Sequence, residues 1–386
     1  MPDQIEIGMG RTARRAYDLH DVQIVPSRRT RSSQDVSTAW QIDAYRFDIP
    51  MLTHPTDATV SPDSAVRVGR LGGLAVLNAE GLWARHPDPE DKLRRLAECV
   101  ADLEVNPDDG LPHDDQEPVS MLQALHAAPI RPDLLTDAVR VVREAGVTVA
   151  ARVSPQHAVE LTPHLIAAGV EILVVQGTII SAEHVGRGTP LNLKEFIADL
   201  EVPVIAGGVA DYRTAMHLMR TGAAGVIVGY GETAGATTTG QVLGIRVPMA
   251  TAIADAAAAR RDYLDETGGR YVHVIADGDL HSGGDIAVAI ACGADAVMLG
   301  GPLAEVDEAP GHGCYWTSAA AHPSLPRSHI YPPTGREGLD LEQLLFGPTA
   351  DATGNVNLFG ALRRALAKTG YKDLKEFQKV GLTVRP

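Results

Sequence analysis

From residue 47 onward one rhythm runs through the chain: a short apolar run, a polar loop, then an amphipathic stretch. The runs are Ile49–Leu52, Leu74–Leu77, Val147–Val153, Ile172–Val175, Val202–Ile205, Gly225–Val228, Val272–Ile275 and Ala296–Leu299. Several are unbroken Val/Ile/Leu without alternation, which marks strands buried on both faces of a parallel sheet. Helical patterns lie between them, among them Pro155–Ala168, Arg213–Thr221 and Pro248–Leu264. The last has proline at its first turn and stops before Gly268-Gly269, both good boundary signals. Strands alternating with helices imply right-handed crossovers. Eight such units predict an α/β fold, a closed (β/α)8 TIM barrel. An open doubly wound sheet is the alternative on pattern alone. The 386 residues then read as one barrel domain, 1–386, rather than two.

One segment breaks the rhythm. About seventy residues separate the second and third runs, far more than a crossover needs. We delimit an insertion at 84–130. Residues 88–117 carry eleven acids and three bases, a net of −8, which is over half of the chain's −15. The stretch PDDGLPHDDQEP reads as a mobile loop, part of a solvated insertion, with a docking surface as the alternative. The acidic balance argues against nucleic acid or an anionic membrane as partner, since both want a basic face. It does not argue against a small anion held by backbone N–H groups. Three cysteines (Cys99, Cys292, Cys314) without a CxxC cannot build a disulfide framework, so a reducing cytoplasm is expected. No run approaches the ~18 apolar residues of a membrane span. The fourteen histidines show no ligand spacing, and no metal is expected.

Chemistry in such a barrel belongs where strands meet the following helices. Three of these loops are dense in glycine: Gly229–Gly240, Asp277–Gly284 and Gly300-Gly301-Pro302. Glycine admits close backbone approach to a ligand, and the last two barrel loops are a recurrent phosphate site. Tight turns are the competing reading. Asp277, at a strand's C-terminus, suits a diol donor; a helix N-cap is the equal alternative.

The stretch IADGDLHSGGDIAVAIACGADAVMLGGPLAEVDEAPG (275–311) resembles the signature of the IMP dehydrogenase/GMP reductase family, IADGGI-x-x-SGD, KALAxGAxxVMLGS and EEAPG. DLHDVQIVPS (18–27) is similar to that family's FDDVLLVPxxS, and VPVIAGGVADYRTAMHLMRTGAAGVIVGYG (202–231) to its AGNVAT…GADxxxVGIG. VLGIRVPMATAI (242–253) is similar to its VAGVGVPQLTAI. The matches are collinear over about residues 15–310. The resemblance implies a homotetrameric barrel binding a purine nucleoside monophosphate (IMP, XMP or GMP), with NAD as oxidant, in guanine nucleotide biosynthesis. Many members insert paired regulatory domains after the second strand; the acidic segment here is too short for them. Residues 311–386 take the place of the family's flap and C-terminal segment.

In the family a cysteine thiolate in the loop after the sixth strand attacks purine C2, and hydride leaves to NAD. Aligning on Gly229 and Gly231 places Ala236 at that cysteine, with Thr237 and Thr238 beside it and Gly235 just before. The family's cofactor-ribose Asp aligns with Gln176, and its AGNV asparagine with Gly208. The second glycine of ADGG becomes Asp279, beside the phosphate position, where Arg213, His281 or Arg246 would have to compensate. The ribose carboxylate survives as Asp277, together with the backbone at Gly278, Gly300 and Gly301. A monovalent-cation site on the altered loop is doubtful. Two functions follow from the resemblance: an NAD-dependent IMP oxidoreductase with its nucleophile replaced, or a silent purine-nucleotide-binding or regulatory subunit partnering a true IMP dehydrogenase. A flavin is not expected, given the collinear motifs.

Overall fold

The computed structural model describes residues 4–101, 103, 116–182, 190–231, 240–318, 320–323, 329–334 and 338–385. Eight parallel strands form its centre: β1 (Met51–Thr53), β2 (Val76–Asn78), β3 (Ala150–Val153), β4 (Ile172–Gln176), β5 (Val204–Val209), β6 (Gly225–Val228), β7 (His273–Asp277) and β8 (Ala296–Leu299). Their order is β1-β8-β7-β6-β5-β4-β3-β2. A parallel bridge between Leu52 and Leu74 brings the two ends of the sheet together. Backbone bonds Thr53 N to Leu74 O (3.1 Å) and Leu74 N to Met51 O (2.9 Å) reinforce it. The predicted barrel is therefore observed. Each of the eight apolar runs contains or adjoins a strand, displaced by a few residues.

The strands lack alternation because they are covered twice, by the barrel interior and by the helical ring. Every residue of β3, β4, β5, β6 and β8 is buried. The helix predicted at Pro248–Leu264 spans Met249–Thr267, with Pro248 as its N-cap. The stretch predicted at Pro155–Ala168 starts later, at Ala158.

A hairpin of Trp40–Ile42 and Tyr45–Phe47 closes the barrel's N-terminal end. Ile42 is fully buried there, and its Cδ1 lies 3.4 Å from the Cβ position of Gly225. Leu382–Val384 pairs with Val22–Ile24, so the C-terminal segment clasps the N-terminal one.

Of the loop expected at 107–118, residues 107–115 lie outside the described residues, but the described parts of the insertion are not wholly solvated. Its described parts include two helices, Pro89–Ala101 and Gln116–His126. Leu93, Leu96, Val100 and Leu122 from them are buried with Cys314, Tyr315, Trp316 and Ile330 in a second apolar cluster. The charge count hid this because the acids among the described residues, Asp88, Glu90, Asp91, Glu98 and Glu117, are all exposed. His126 fixes the insertion to the barrel: its Nε2 lies 3.0 Å from buried Asp57 Oδ2, and its Nδ1 lies 3.0 Å from Leu122 O. Among the described residues no helix is long and apolar enough to cross a membrane.

Candidate functional site

At the C-terminal ends of the strands a polar network is built around one buried carboxylate. Asp277, the last residue of β7, is 2% exposed. Gln176, the last residue of β4, donates from Nε2 to Asp277 Oδ2 at 2.8 Å. His54, just past β1, places Nδ1 3.2 Å from both Asp277 oxygens. Its backbone N–H donates to Leu299 O of β8 at 2.7 Å, which fixes where the ring begins. Arg152 of β3 donates from Nε and Nη2 to Gln176 O, at 3.1 and 2.8 Å. Its Nη1 lies 3.6 Å from Glu80 Oε1, past the end of β2.

Glu80 is mostly buried. Burial works against its charge, but Arg152, with bonds from the Ser154 backbone and His157, outweighs burial and holds the carboxyl below its ordinary value. The mouth thus carries an ordered polar arc: Glu80, Arg152, Gln176, Asp277, His54. Each charge has an opposite charge or a hydrogen bond nearby, which buried charges require.

Among the described residues, two atoms of the arc, His54 Nε2 and Gln176 Oε1, and Thr317 Oγ1 beside them have no partner. Thr317 stands over the mouth on the segment that follows β8. Thr56 Oγ1 donates to Trp316 O at 2.6 Å, and Tyr315 exchanges backbone bonds with Tyr331, so this segment is held in place. His54, Gln176 and Thr317, with Arg152, Thr178, Tyr230 and Ser318, line a cavity of about 30 Å³. That is room for little more than a water.

The predicted residues are partly united here. Gly229, Gly231, Asp277 and Gly278 meet in adjoining loops: Gly231 N donates to Asp277 O at 3.2 Å, and a Cβ on Gly231 would stand 3.2 Å from His54 Cε1. Gly208 packs against the Gly229 carbonyl, and its own N–H donates to Gly177 O at 3.0 Å. Gly300 lies beneath the Tyr315 hydroxyl, and Gly301 begins a single helical turn, Gly301–Ala304. Asp277 is not a helix N-cap; Ser282 takes that role for the helix Gly283–Cys292. Asp279 has a counter-charge: Arg246 Nη2 lies 3.5 Å from it and 2.9 Å from Asp18 Oδ2. Gly235, Ala236, Thr237 and Thr238 lie outside the described residues.

Sequence reasoning singled out none of His54, Glu80, Arg152 and Thr317. His54 falls in a loop after a strand, where site residues belong, but one histidine there carries no pattern. Its partner is 223 residues away.

Comparison with known proteins agrees with the geometry. Residues 16–322 match the family model of the IMP dehydrogenase / GMP reductase domain. An uncharacterized oxidoreductase of Mycolicibacterium smegmatis is 66% identical over 381 residues, covering 98% of this chain and 99% of its own length. An inosine-5'-monophosphate dehydrogenase of Methanocaldococcus jannaschii is 24% identical over 467 residues, covering 95% of this chain and 92% of its own. The crystal structure of an IMP dehydrogenase/GMP reductase-like protein from Corynebacterium glutamicum superposes with a TM-score of 0.91 at 53% identity, covering 99% of this chain and 98% of its own.

Proposed function

Since this chain belongs to the IMP dehydrogenase/GMP reductase family, in a compact form without the regulatory paired domains, we propose that it binds a purine nucleoside monophosphate across the barrel mouth without the family's thiolate-dependent oxidation of IMP to XMP. The state of the thiols carries this reading. Attack on purine C2 needs a thiolate beside the base. The aligned position is Ala236. Burial pushes the Cys292 thiol up to about 11 and the Cys314 thiol up to about 12. Cys292 belongs to a helix of the outer ring, and Cys314 sits in the second apolar cluster. Cys99 belongs to the insertion helix Pro89–Ala101.

NAD fits poorly at the residue aligned with the family's cofactor-ribose carboxylate. Gln176 is buried, with its NH2 held by Asp277 and its backbone carbonyl by Arg152, and its one remaining amide oxygen offers a single neutral acceptor where the family's carboxylate offers two charged ones. We therefore derive no hydride step through that cofactor. The nucleotide reading is supported by the strand-end placement of Asp277 and by Arg246, which brings a cation to the loop of Asp279.

The test is paired. Calorimetry with IMP, XMP and GMP is expected to show binding of at least one. The same protein, at high concentration with IMP and either NAD or NADP, is expected to produce no reduced nicotinamide. Steady reduction of the cofactor would sink the silent-site reading, and absence of all binding would sink the ligand class.

A further inference from the structure

We infer that the ligand's hydrogen-bond donors are received by His54 Nε2 and Gln176 Oε1, with Thr317 Oγ1 closing the subsite, rather than by the Asp277 carboxylate. This deepens the proposed nucleotide site and rests on it for the ligand's identity. The hydrogen-bond accounting, however, rests on this chain's own atoms.

Asp277 has its oxygens engaged by protein donors. Gln176 Nε2 holds one at 2.8 Å, and His54 Nδ1 lies 3.2 Å from each. A carboxylate accepts only, so Nδ1 carries the ring proton that faces it. In the neutral ring, Nε2 is then an acceptor. The orientation of Gln176 is fixed the same way: its NH2 must face Asp277, which leaves Oε1 as the free end. Both atoms are buried and have no partner among the described residues. The residues bearing them are 4% and 5% exposed, and Thr317 is 4% exposed. A buried polar atom left unpaired costs stability. Three around one small cavity mark a place built to be completed from outside the chain.

Two acceptors and a hydroxyl select the chemistry of what completes them. A phosphate or carboxylate oxygen would face lone pairs with only the Thr317 proton to offer. A vicinal diol or an amino group brings two donors and satisfies both acceptors. Those groups have two sources on a purine nucleotide, the ribose hydroxyls and an exocyclic amine. The shared requirement is a pair of donors. The cavity is about 30 Å³, so the donor-bearing group enters alone and displaces water. The rest of the ligand needs the covering segment around Thr317 to yield.

The experiment uses the whole chain with ¹⁵N-labelled histidine. Without ligand, the His54 signal, identified by its loss in His54→Phe, is expected to show the Nδ1–H tautomer with an unprotonated Nε2. The opposite tautomer, or a ring protonated on both nitrogens, would overturn the inference while leaving nucleotide binding intact. On addition of GMP, IMP and their 2'-deoxy forms, whichever binds is expected to shift the Nε2 resonance. Weaker binding of the deoxy forms assigns the donors to ribose, and preference for GMP over IMP assigns them to the amine. Thr317→Val keeps volume and removes one hydroxyl, and is expected to weaken binding by about tenfold. Nucleotide binding that leaves Nε2 unshifted, with Thr317→Val binding as the parent does, refutes the subsite. If no nucleotide binds, the proposed function falls, and the tautomer alone still decides whether the acceptor exists.

Discussion

Asp277 has two carboxylate oxygens at the end of β7, and His54 and Gln176 contact both. That competition separates this mouth from one with an open diol acceptor. Asp277 was legible in the sequence because a strand end announces itself by the apolar run before it. The company it keeps was not legible, since three distant segments must close into a barrel before His54 and Gln176 reach it. Gly229 shows the same dependence. Its φ is +107°, and a Cβ there would overlap the Asp277 carbonyl oxygen. Gly229→Ala is expected to lower stability by roughly 2–4 kcal/mol and to shift the urea midpoint accordingly; a change under about half a kcal/mol would show that the loop yields freely. The thiols give a second expectation at this scale. With Cys292 raised to about 11 and Cys314 to about 12, iodoacetamide at pH 7.5 should label both at least a hundredfold more slowly than a free thiol. Mass spectrometry of a short labelling reaction reads this directly, and rapid labelling of Cys314 would reopen thiolate chemistry near the mouth.

The strands were readable as elements because, in a chain without membrane-length runs, continuous Val/Ile/Leu of this length belongs in a doubly covered sheet. The insertion was only half readable. Its composition announced charge, but its helices reveal a buried face only once the segment after β8 is laid against them. Leu93, Leu96, Val100 and Leu122 meet Trp316 and Ile330, and Trp316 adjoins Thr317 over the mouth. The insertion and the cover of the site therefore share one core. Leu96 is fully buried in it. Leu96→Ala is expected to cost about 2–5 kcal/mol locally, through lost contacts and a residual cavity. Hydrogen exchange should then accelerate in the helices Pro89–Ala101 and Gln116–His126 and also around Tyr315–Thr317. Acceleration confined to the insertion would mean that the two segments touch without supporting each other. The His126–Asp57 pair belongs to the same junction. Gly81 lies so close to Asp57 that any side chain there would displace the carboxylate.

At the scale of the whole molecule, the barrel's two ends are held differently. The C-terminal end leaves acceptors unpaired around a small cavity; the N-terminal end gathers donors on one buried carboxylate, although Trp40 Nε1 and His273 Nδ1 have no hydrogen-bond partner there among the described residues. Asp295, just before β8, is fully enclosed and receives Arg260 Nη1 (2.7 Å), Tyr271 Oη (2.7 Å), Val274 N (2.9 Å) and Gln378 Nε2 (3.1 Å). Lys375 Nζ adds a further contact at 2.5 Å, tying the C-terminal segment to the barrel floor. Burial opposes the Asp295 charge, yet Arg260 and Lys375 overcome it and hold the carboxyl far below its usual range. His273, at the start of β7, faces the same cluster. Burial pushes it down to about 4, with Lys375 and Arg260 acting in the same direction and Asp295 against them. The unfolded ring titrates near 6.5. Between those values the unfolded chain binds more protons, so stability falls with falling pH. The contribution is fully present above about pH 6.5 and is lost as the pH drops toward 4, about 3 kcal/mol across the window. The depressed Asp295 adds a further loss only below the ordinary aspartate range. Urea midpoints measured from pH 7.5 to 4.5 are expected to decline accordingly. His273→Phe, which keeps an aromatic ring beside Trp40 and Tyr271, should flatten that part of the profile. A variant whose midpoint falls as steeply as the parent's would remove His273 as a source of acid sensitivity and leave the clamp at Asp295 as a purely low-pH device.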